Sequence, residues 1–438
     1  MYSPLKRLSK QNPQQTIELM LNRSIAPTFS KTFSFKLPNS EVFKLSGGVD
    51  LVSLQGLQQE VFKLEVIFNA GKWQEGKSGL AHFTSILLDK GTSSKSSRKI
   101  AEVLDYYGAQ IEISSGYDFV AVSLYGLKKF VREIFPVFVE ILSEPVFAED
   151  ELDLQKKIFL QNLEINEKKT SFLASRLIRK NIFGSHHPYG NSVEREDVVS
   201  ITREELENYF RSNFSPHEIY LIGNLESQQI NWLSGQLSLL KSTKSNDKKD
   251  FLIKSGDNIQ HIVKPDNIQS SIRMGMRTIS REHKDYFSLL LLNHLLGGYF
   301  GSRLMKNIRE EKGLTYGIYS SLNPFRNDCM FLIGADVDKI NVELTINEIK
   351  KEIQNLRLHQ VKDDELDVVK NHLLGGIQLE MANPFSTFDK IKNIRLNQLE
   401  KEYYNNLFTS VKSISPNELQ TMAQKYFDAK DLTIVSVG

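Results

Sequence analysis

The chain has 438 residues, with 55 Lys plus Arg against 53 Asp plus Glu and a single cysteine, Cys329. That near balance lacks the cationic excess with which non-specific nucleic-acid binders displace counterions, and one thiol excludes an internal disulfide. An apolar fraction of 40% is enough for sizeable cores, and the length suits two or three domains of roughly 100–200 residues each.

In chain order, the N-terminal stretch carries Lys6, Arg7 and Lys10 but no apolar run long enough for a secretory signal. The longest apolar stretch, FSLLLLNHLLGG at 287–298, is too short to span a bilayer. A cytoplasmic location with no membrane span is therefore expected. Residues 79–92, GLAHFTSILLDKGT, read as a short helix entered from one glycine and left at another, with His82 on it. FVAVSLYGL, from Phe119, alternates as a half-buried strand does, and Phe130, Ile134, Val137, Val139 and Ile141 then mark an amphipathic helix. EDELD at 149–153 puts acidic residues at the positive end of the next helix, LQKKIFLQNLEI. His186 and His187 are adjacent, so their side chains diverge and make a poor metal pair.

Residues 239–256 lose apolar periodicity and gain Lys, Ser, Asn and Asp, which predicts a linker between an N-terminal domain, 1–238, and a C-terminal domain, 257–438. Beyond it, Gly297 and Gly298 end an apolar helix and are expected to let the chain turn sharply. Residues 302–311 read as a short helix ending near Gly313, and Leu314–Ser320 as a strand. Arg309 then lies near a helix end and Tyr316 seven residues later, placed so that both could face one cleft. Arg303 reads as a surface or interdomain ion-pair residue. Cys329, in DCMFLIGA, reads as a small core residue.

The two halves resemble each other. EDELD at 149 recurs as DDELD at 363, and the strand–turn–helix unit from Phe119 recurs from Phe331, offsets of 214 and 212. An internal duplication follows, with fold class α+β: two homologous domains, each a largely antiparallel sheet with helices packed on one face.

The frame around His82 resembles the inverted zinc motif, H-x-x-E-H, of the inverzincin metallopeptidases, the pitrilysin and mitochondrial-processing-peptidase family. His82 matches the first histidine; Ser85 stands where the catalytic glutamate belongs and Ile86 where the second histidine belongs. The third ligand, a glutamate some seventy-odd residues on in that family, matches Asn162, or Gln161 with a one-residue shift; Glu164 falls on a different helix face. Isoleucine offers a metal no lone pair, and serine is a poor base at neutral pH. RSIAP at 23–27, HHPYG at 186–190, ITREELENYFRSNFSP and IGNLE at 222–226 are also similar to the family's first domain. GGYFGSRLMKNIREEKGLTYG is similar to its second-domain motif, G-G-x-x-S-R-L with R-E-x-x-G-L-x-Y, whose arginine and tyrosine match Arg309 and Tyr316.

The resemblance implies a chain with no catalytic site in isolation and no metal of its own, forming half of a clamshell. In some bacterial members one subunit carries H-x-x-E-H and the other only the arginine and tyrosine. This chain is similar to the second kind: a non-catalytic, substrate-binding subunit of a heterodimeric zinc-dependent endopeptidase acting on peptides in an enclosed chamber. Its partner would be a catalytic homologue holding the zinc; alone, the chain would be inactive and would form a homodimer. The alternative is a structural or assembly subunit, like the family's core proteins of respiratory complexes, with no role in proteolysis. A self-sufficient hydrolase is disfavoured, since no G-x-S-x-G elbow occurs.

Overall fold

The computed structural model describes residues 37–56, 59–240 and 251–438. RSIAP at 23–27 and most of the expected linker lie outside the described residues. The first half contributes strands β1 (Glu41–Lys44), β2 (Asp50–Leu54), β3 (Val61–Phe68), β4 (Gln110–Ser115), β5 (Val120–Leu127) and β6 (Pro216–Gly223). Its helices are α1 (Leu80–Ile86), α2 (Ser97–Tyr107), α3 (Val131–Ser143), α4 (Glu149–Glu167), α5 (Thr170–Phe183), α6 (Arg195–Ser200), α7 (Arg203–Asn213) and α8 (Ser227–Leu237). The second half contributes β7 (Ile259–Ile262), β8 (Gln269–Thr278), β9 (Thr315–Pro324), β10 (Cys329–Asp338) and β11 (Thr433–Val437). Its helices are α9 (Tyr286–Gly297), α10 (Val342–Leu358), α11 (Asp363–Glu380), α12 (Pro384–Leu396), α13 (Tyr403–Ser413) and α14 (Pro416–Tyr426).

Sheet order repeats with the sequence. The first sheet runs β1-β2-β6-β3-β5-β4 and the second β7-β11-β8-β10-β9. In each, one pair is parallel (β2 with β6, β7 with β11) and the other pairings are antiparallel. Helices α4 and α11 begin at 149 and 363, 214 residues apart, and each opens on three acidic residues. Across the strand-to-helix junction the frame is one residue off the sequence expectation. The 3-10 turns at 128–130 and 339–341 are 211 apart, so Phe119 corresponds to Met330 rather than Phe331. Phe331 follows the position equivalent to Phe119 by one residue, so the two phenylalanines coincide in type but not in place.

As expected, each half packs helices of its own on one face of its sheet; the other face is covered as well, by a helix from the opposite half. On the first sheet, Leu64, Val66, Val122, Leu124, Ile219 and Leu221 pack under the first half's own helices. Their alternates Val52, Leu54, Ile67, Tyr220 and Ile222 face the other way and meet Phe388 and Ile391 of α12. Reciprocally, Ala174, Ile178, Ile182 and Phe183 of α5 cover Met330, Val435 and Val437 of the second sheet. Burying five to eight such side chains per face stabilises each seam by on the order of 10 kcal/mol in gross hydrophobic terms.

Charge pins the first of these covers. Lys392 meets Glu65 at 2.7 Å and Arg395 meets Asp50 at 2.8 Å and Glu218. Each half also contributes a hairpin tip to a shared junction. The β4–β5 tip offers Asp118, whose carboxylate accepts from Tyr189 Oη at 2.7 Å and from the backbone N–H of Arg326, on the β9–β10 tip, at 3.1 Å. Tyr189 stacks on Phe325 at 4.2 Å. Within the stretch expected to be a linker, Phe251 packs edge-on against Trp73, and Gly256 N–H donates to Asn181 O at the end of α5.

Candidate functional site

Helix α1, which carries His82, has only seven residues and no side-chain cap at Gly79, whose φ of 95° suits a glycine. Its first turn is satisfied from upstream. One carboxylate oxygen of Glu75 accepts from the N–H groups of Gly79 (3.2 Å) and Ala81 (2.8 Å). The other oxygen is buried with no hydrogen-bond partner among the described residues. Burial pushes the Glu75 carboxyl up to about 7 and pulls neighbouring Lys72 down to about 8.

His82 is sandwiched by aromatic rings, with Phe83 and Phe159 each 5.2 Å away. Burial among them holds its imidazole below the ordinary histidine range. Ser85 is fully buried and donates back to Ala81 O at 2.5 Å, the local bond a mid-helix serine makes when nothing else is in reach. Ile86 packs on the first-half core. Asn162 lies on α4, exposed, one turn past the Phe159 that contacts His82; Gln161 is exposed too. Zinc needs three protein ligands and an open, water-accessible position, and these residues do not fit it. A phenylalanine ring occupies one flank of the imidazole, Ser85 is turned into its own helix, and Ile86 brings no donor. Among the described residues no group of three His, Cys, Asp or Glu side chains is placed to hold a metal.

The Arg–Tyr motif is built differently. Gly297 closes α9 where its backbone passes against β9: a Cβ there would lie 2.6 Å from Ser320 N. Gly298 has an ordinary helical φ of −85°. Close approach, rather than a left-handed turn, is thus what these two glycines permit. The segment Met305–Glu311 is a π-helix, a wide turn often associated with functional sites. Buried Asn307 ties it to α10 by donating to Glu348 (3.1 Å) and Glu352 (2.7 Å). Arg303 forms a two-pronged pair with Glu365 of α11 at 3.0 and 2.9 Å, so its ion pair lies within the second half rather than between domains.

Tyr316 is set by a bulge. In the β9–β10 ladder Ala335 pairs with Ile318 and Val337 with Thr315, so Tyr316 and Gly317 together oppose the single residue Asp336. The Thr315 hydroxyl closes the gap, lying 2.7 Å from Asp336 O and accepting from Gly317 N–H at 3.2 Å. Tyr316 is thrown outward and is 91% exposed. Arg309 and Tyr316 line one cleft of about 690 Å³ together with Gln269, Leu314, Asp336 and Asp338. Every lining residue comes from the second half, and none from α1 or α4. The guanidinium of Arg309 lies 4.6 Å from the Phe300 ring.

Several of these groups leave no signal in the sequence. Glu75 and Phe159 carry no motif. His294 and His372 share a 2.9 Å hydrogen bond, yet are 78 residues apart in sequence. Cys329 is buried, and burial pushes its thiol up to about 12, so it is no nucleophile. None of the described helices is long and apolar enough to cross a membrane.

Two family models match this chain: Insulinase (Peptidase family M16) over residues 51–196, and Peptidase M16 inactive domain over residues 200–373. Among curated relatives, an "uncharacterized zinc protease YmxG" of Bacillus subtilis is 23% identical over 72% of this chain and 77% of its own length. A "non-peptidase homolog YmxG" of Helicobacter pylori is 23% identical over 82% of this chain and 84% of its own. A solved peptidase M16 inactive domain from Pseudomonas fluorescens has the same fold, with a TM-score of 0.84 at 24% identity over 92% of this chain and 98% of that one. With family models running along both halves, the chain belongs to peptidase family M16, as a non-catalytic member.

Proposed function

We propose that this chain is the substrate-binding subunit of a heterodimeric zinc-dependent endopeptidase, working on peptides in an enclosed chamber beside a catalytic homologue that holds the zinc. The observation that carries the reading is the state of Arg309 and Tyr316. Both line one open cleft, Tyr316 is almost wholly exposed, and Arg309 takes no hydrogen-bond or ion-pair partner among the described residues. A guanidinium with free donors beside an exposed phenol suits a peptide carbonyl or carboxylate, or the negative charge that builds on a carbonyl oxygen during hydrolysis. Among the described residues of the first half no such group faces a cleft of this kind, which supports a reading in which the reacting centre comes from another chain. A relative named as a non-peptidase homologue supports the non-catalytic part of this reading.

The test is co-purification with a homologue bearing an intact H-x-x-E-H, followed by peptidase assays of each chain alone and of both together. Activity is expected only in the pair. There, Arg309→Ala and Tyr316→Phe should each lower it, by roughly 100–1,000-fold where the side chain donates to the developing oxyanion, with assembly unchanged. A loss confined to the Michaelis constant would assign Arg309 to ground-state gripping. Full activity in both variants would favour an assembly subunit with no role in proteolysis. Elemental analysis of this chain alone should find no stoichiometric zinc.

A further inference from the structure

Between the paired glycines 297–298 and Ser302 stand three residues, Tyr299, Phe300 and Gly301. Tyr299 is held from two helices at once. Its ring stacks on His294 of α9 at 5.0 Å, nearly parallel at 16°, and lies 4.5 Å from His372 of α11. Those two imidazoles are themselves joined at 2.9 Å, Nε2 to Nδ1. Burial, and then the neighbouring His372, pull His294 down to about 4, so it stays neutral through the physiological range. The flanking glycines leave the loop no slack: a Cβ on Gly298 would lie 2.7 Å from His294 Cα, and one on Gly301 2.8 Å from the Tyr299 ring.

The residue after this anchor is therefore fixed in direction. Phe300 points outward, 62% exposed, with the Arg309 guanidinium over its ring at 4.6 Å. Arg309 thus lines the cleft shared with Tyr316, while Phe300, against its guanidinium, is not among the lining residues. An arginine whose donors are unpaired would otherwise sample many rotamers; a ring face confines it without using a single N–H.

We propose that Phe300 is a positioning residue, aiming the Arg309 donors into the cleft, and that the Tyr299–His294–His372 stack fixes Phe300 in that role. This rests on the reading of Arg309 as a peptide-gripping residue, and the two are separable by experiment. In the chain alone, with arginine isotopically labelled and the Arg309 resonance assigned through Arg309→Lys, the guanidinium should show an upfield ring-current shift. The shift should persist in Phe300→Tyr, vanish in Phe300→Leu and shrink in Tyr299→Leu. An Arg309 shift unchanged by Phe300→Leu overturns the proposal. In the reconstituted pair, Phe300→Leu should raise KM by about two- to five-fold with kcat unchanged, the value of an exposed cation–π contact, and Phe300→Tyr should restore it. A KM that Arg309→Ala raises and Phe300→Leu leaves alone also overturns the positioning role. Loss of the shift in Phe300→Leu, with Arg309→Ala harmless in the pair, leaves the positioning standing and sinks the reading of Arg309 instead.

Discussion

The two halves share one order of five strands, β2-β6-β3-β5-β4 matching β7-β11-β8-β10-β9, but they treat their chemistry-bearing side chains in opposite ways. Around α1, the histidine is enclosed by two phenylalanines and the serine is turned into its own helix. Around the π-helix and the β9 bulge, an exposed tyrosine and a half-buried arginine line one cleft, and no side-chain hydrogen bond or ion pair holds the arginine among the described residues. A polar group sheltered from water must find a partner or be replaced by something apolar, and the first half has taken the second course. The second half instead spends a bulge, a π-turn and two close-packed glycines on keeping two side chains outward.

The contrast can be broken most forcefully at Ser85. Ser85→Glu, the first step in rebuilding the family motif, would bury a carboxylate with no cation beside it, and stability should fall by about 3–5 kcal/mol. A urea midpoint equal to the parent's would mean that the first half still keeps room for its lost chemistry. The double variant Ser85→Glu, Ile86→His should remain inactive alone, since Asn162 leaves the third ligand missing.

A somewhat smaller effect, of opposite sign, is expected at Glu75. Its carboxyl is raised in the folded chain, so the unfolded chain releases that proton first, and stability is lost as pH rises from about 4.5 to about 7. Glu75→Gln keeps an oxygen for the Gly79 and Ala81 N–H groups and lacks the ionisation. It should be more stable than the parent above pH 7, by up to about 3 kcal/mol on the full shift. Denaturation curves at pH 5 and pH 8 check this: a variant no better at pH 8 than at pH 5 contradicts it.

His82→Leu should alter stability at pH 7.5 by no more than about 1 kcal/mol, because the imidazole serves there as a ring among rings. Its folded-state pKa is depressed, so the parent loses stability as pH falls below about 6.5, where the unfolded chain takes up the proton. The leucine variant should lack that part of the acid slope. Least of all, Tyr316→Ala should leave the melting midpoint nearly unchanged, within about 0.5 kcal/mol. A large loss of stability would show that the exposed phenol packs after all and would weaken the contrast from the other side.

Much of this was legible in the sequence, for reasons that differ by residue. The duplication showed because acidic residues at helix starts obey a local rule, and EDELD and DDELD follow it twice. The poor fit of Ser85 and Ile86 to a metal was legible because ligand chemistry is a property of the residue type: isoleucine has no lone pair. The exchange of α5 and α12 did not show. A strand buried on both faces reads the same whichever segment covers it, and nothing in Phe388 or Ile391 names its target. The bulge escaped because Leu314–Ser320 alternates well enough to pass for a plain strand. The histidine pair escaped because contact between α9 and α11 is a fact of tertiary packing alone.

The exchanged helices also set a timetable for synthesis. The first sheet is complete once Gly223 has been made, but its lower cover begins only at Pro384. At about 5–20 residues per second, a ribosome needs on the order of ten to thirty seconds to close that interval. Throughout it Val52, Leu54, Ile67, Tyr220 and Ile222 lie bare on a nascent chain, together with the carboxylates of Glu65 and Glu218 that await Lys392 and Arg395. Those two charges, set among the apolar residues, work as gatekeepers: they hold the uncovered face in water and discourage sticking between neighbouring nascent chains until their own cations emerge.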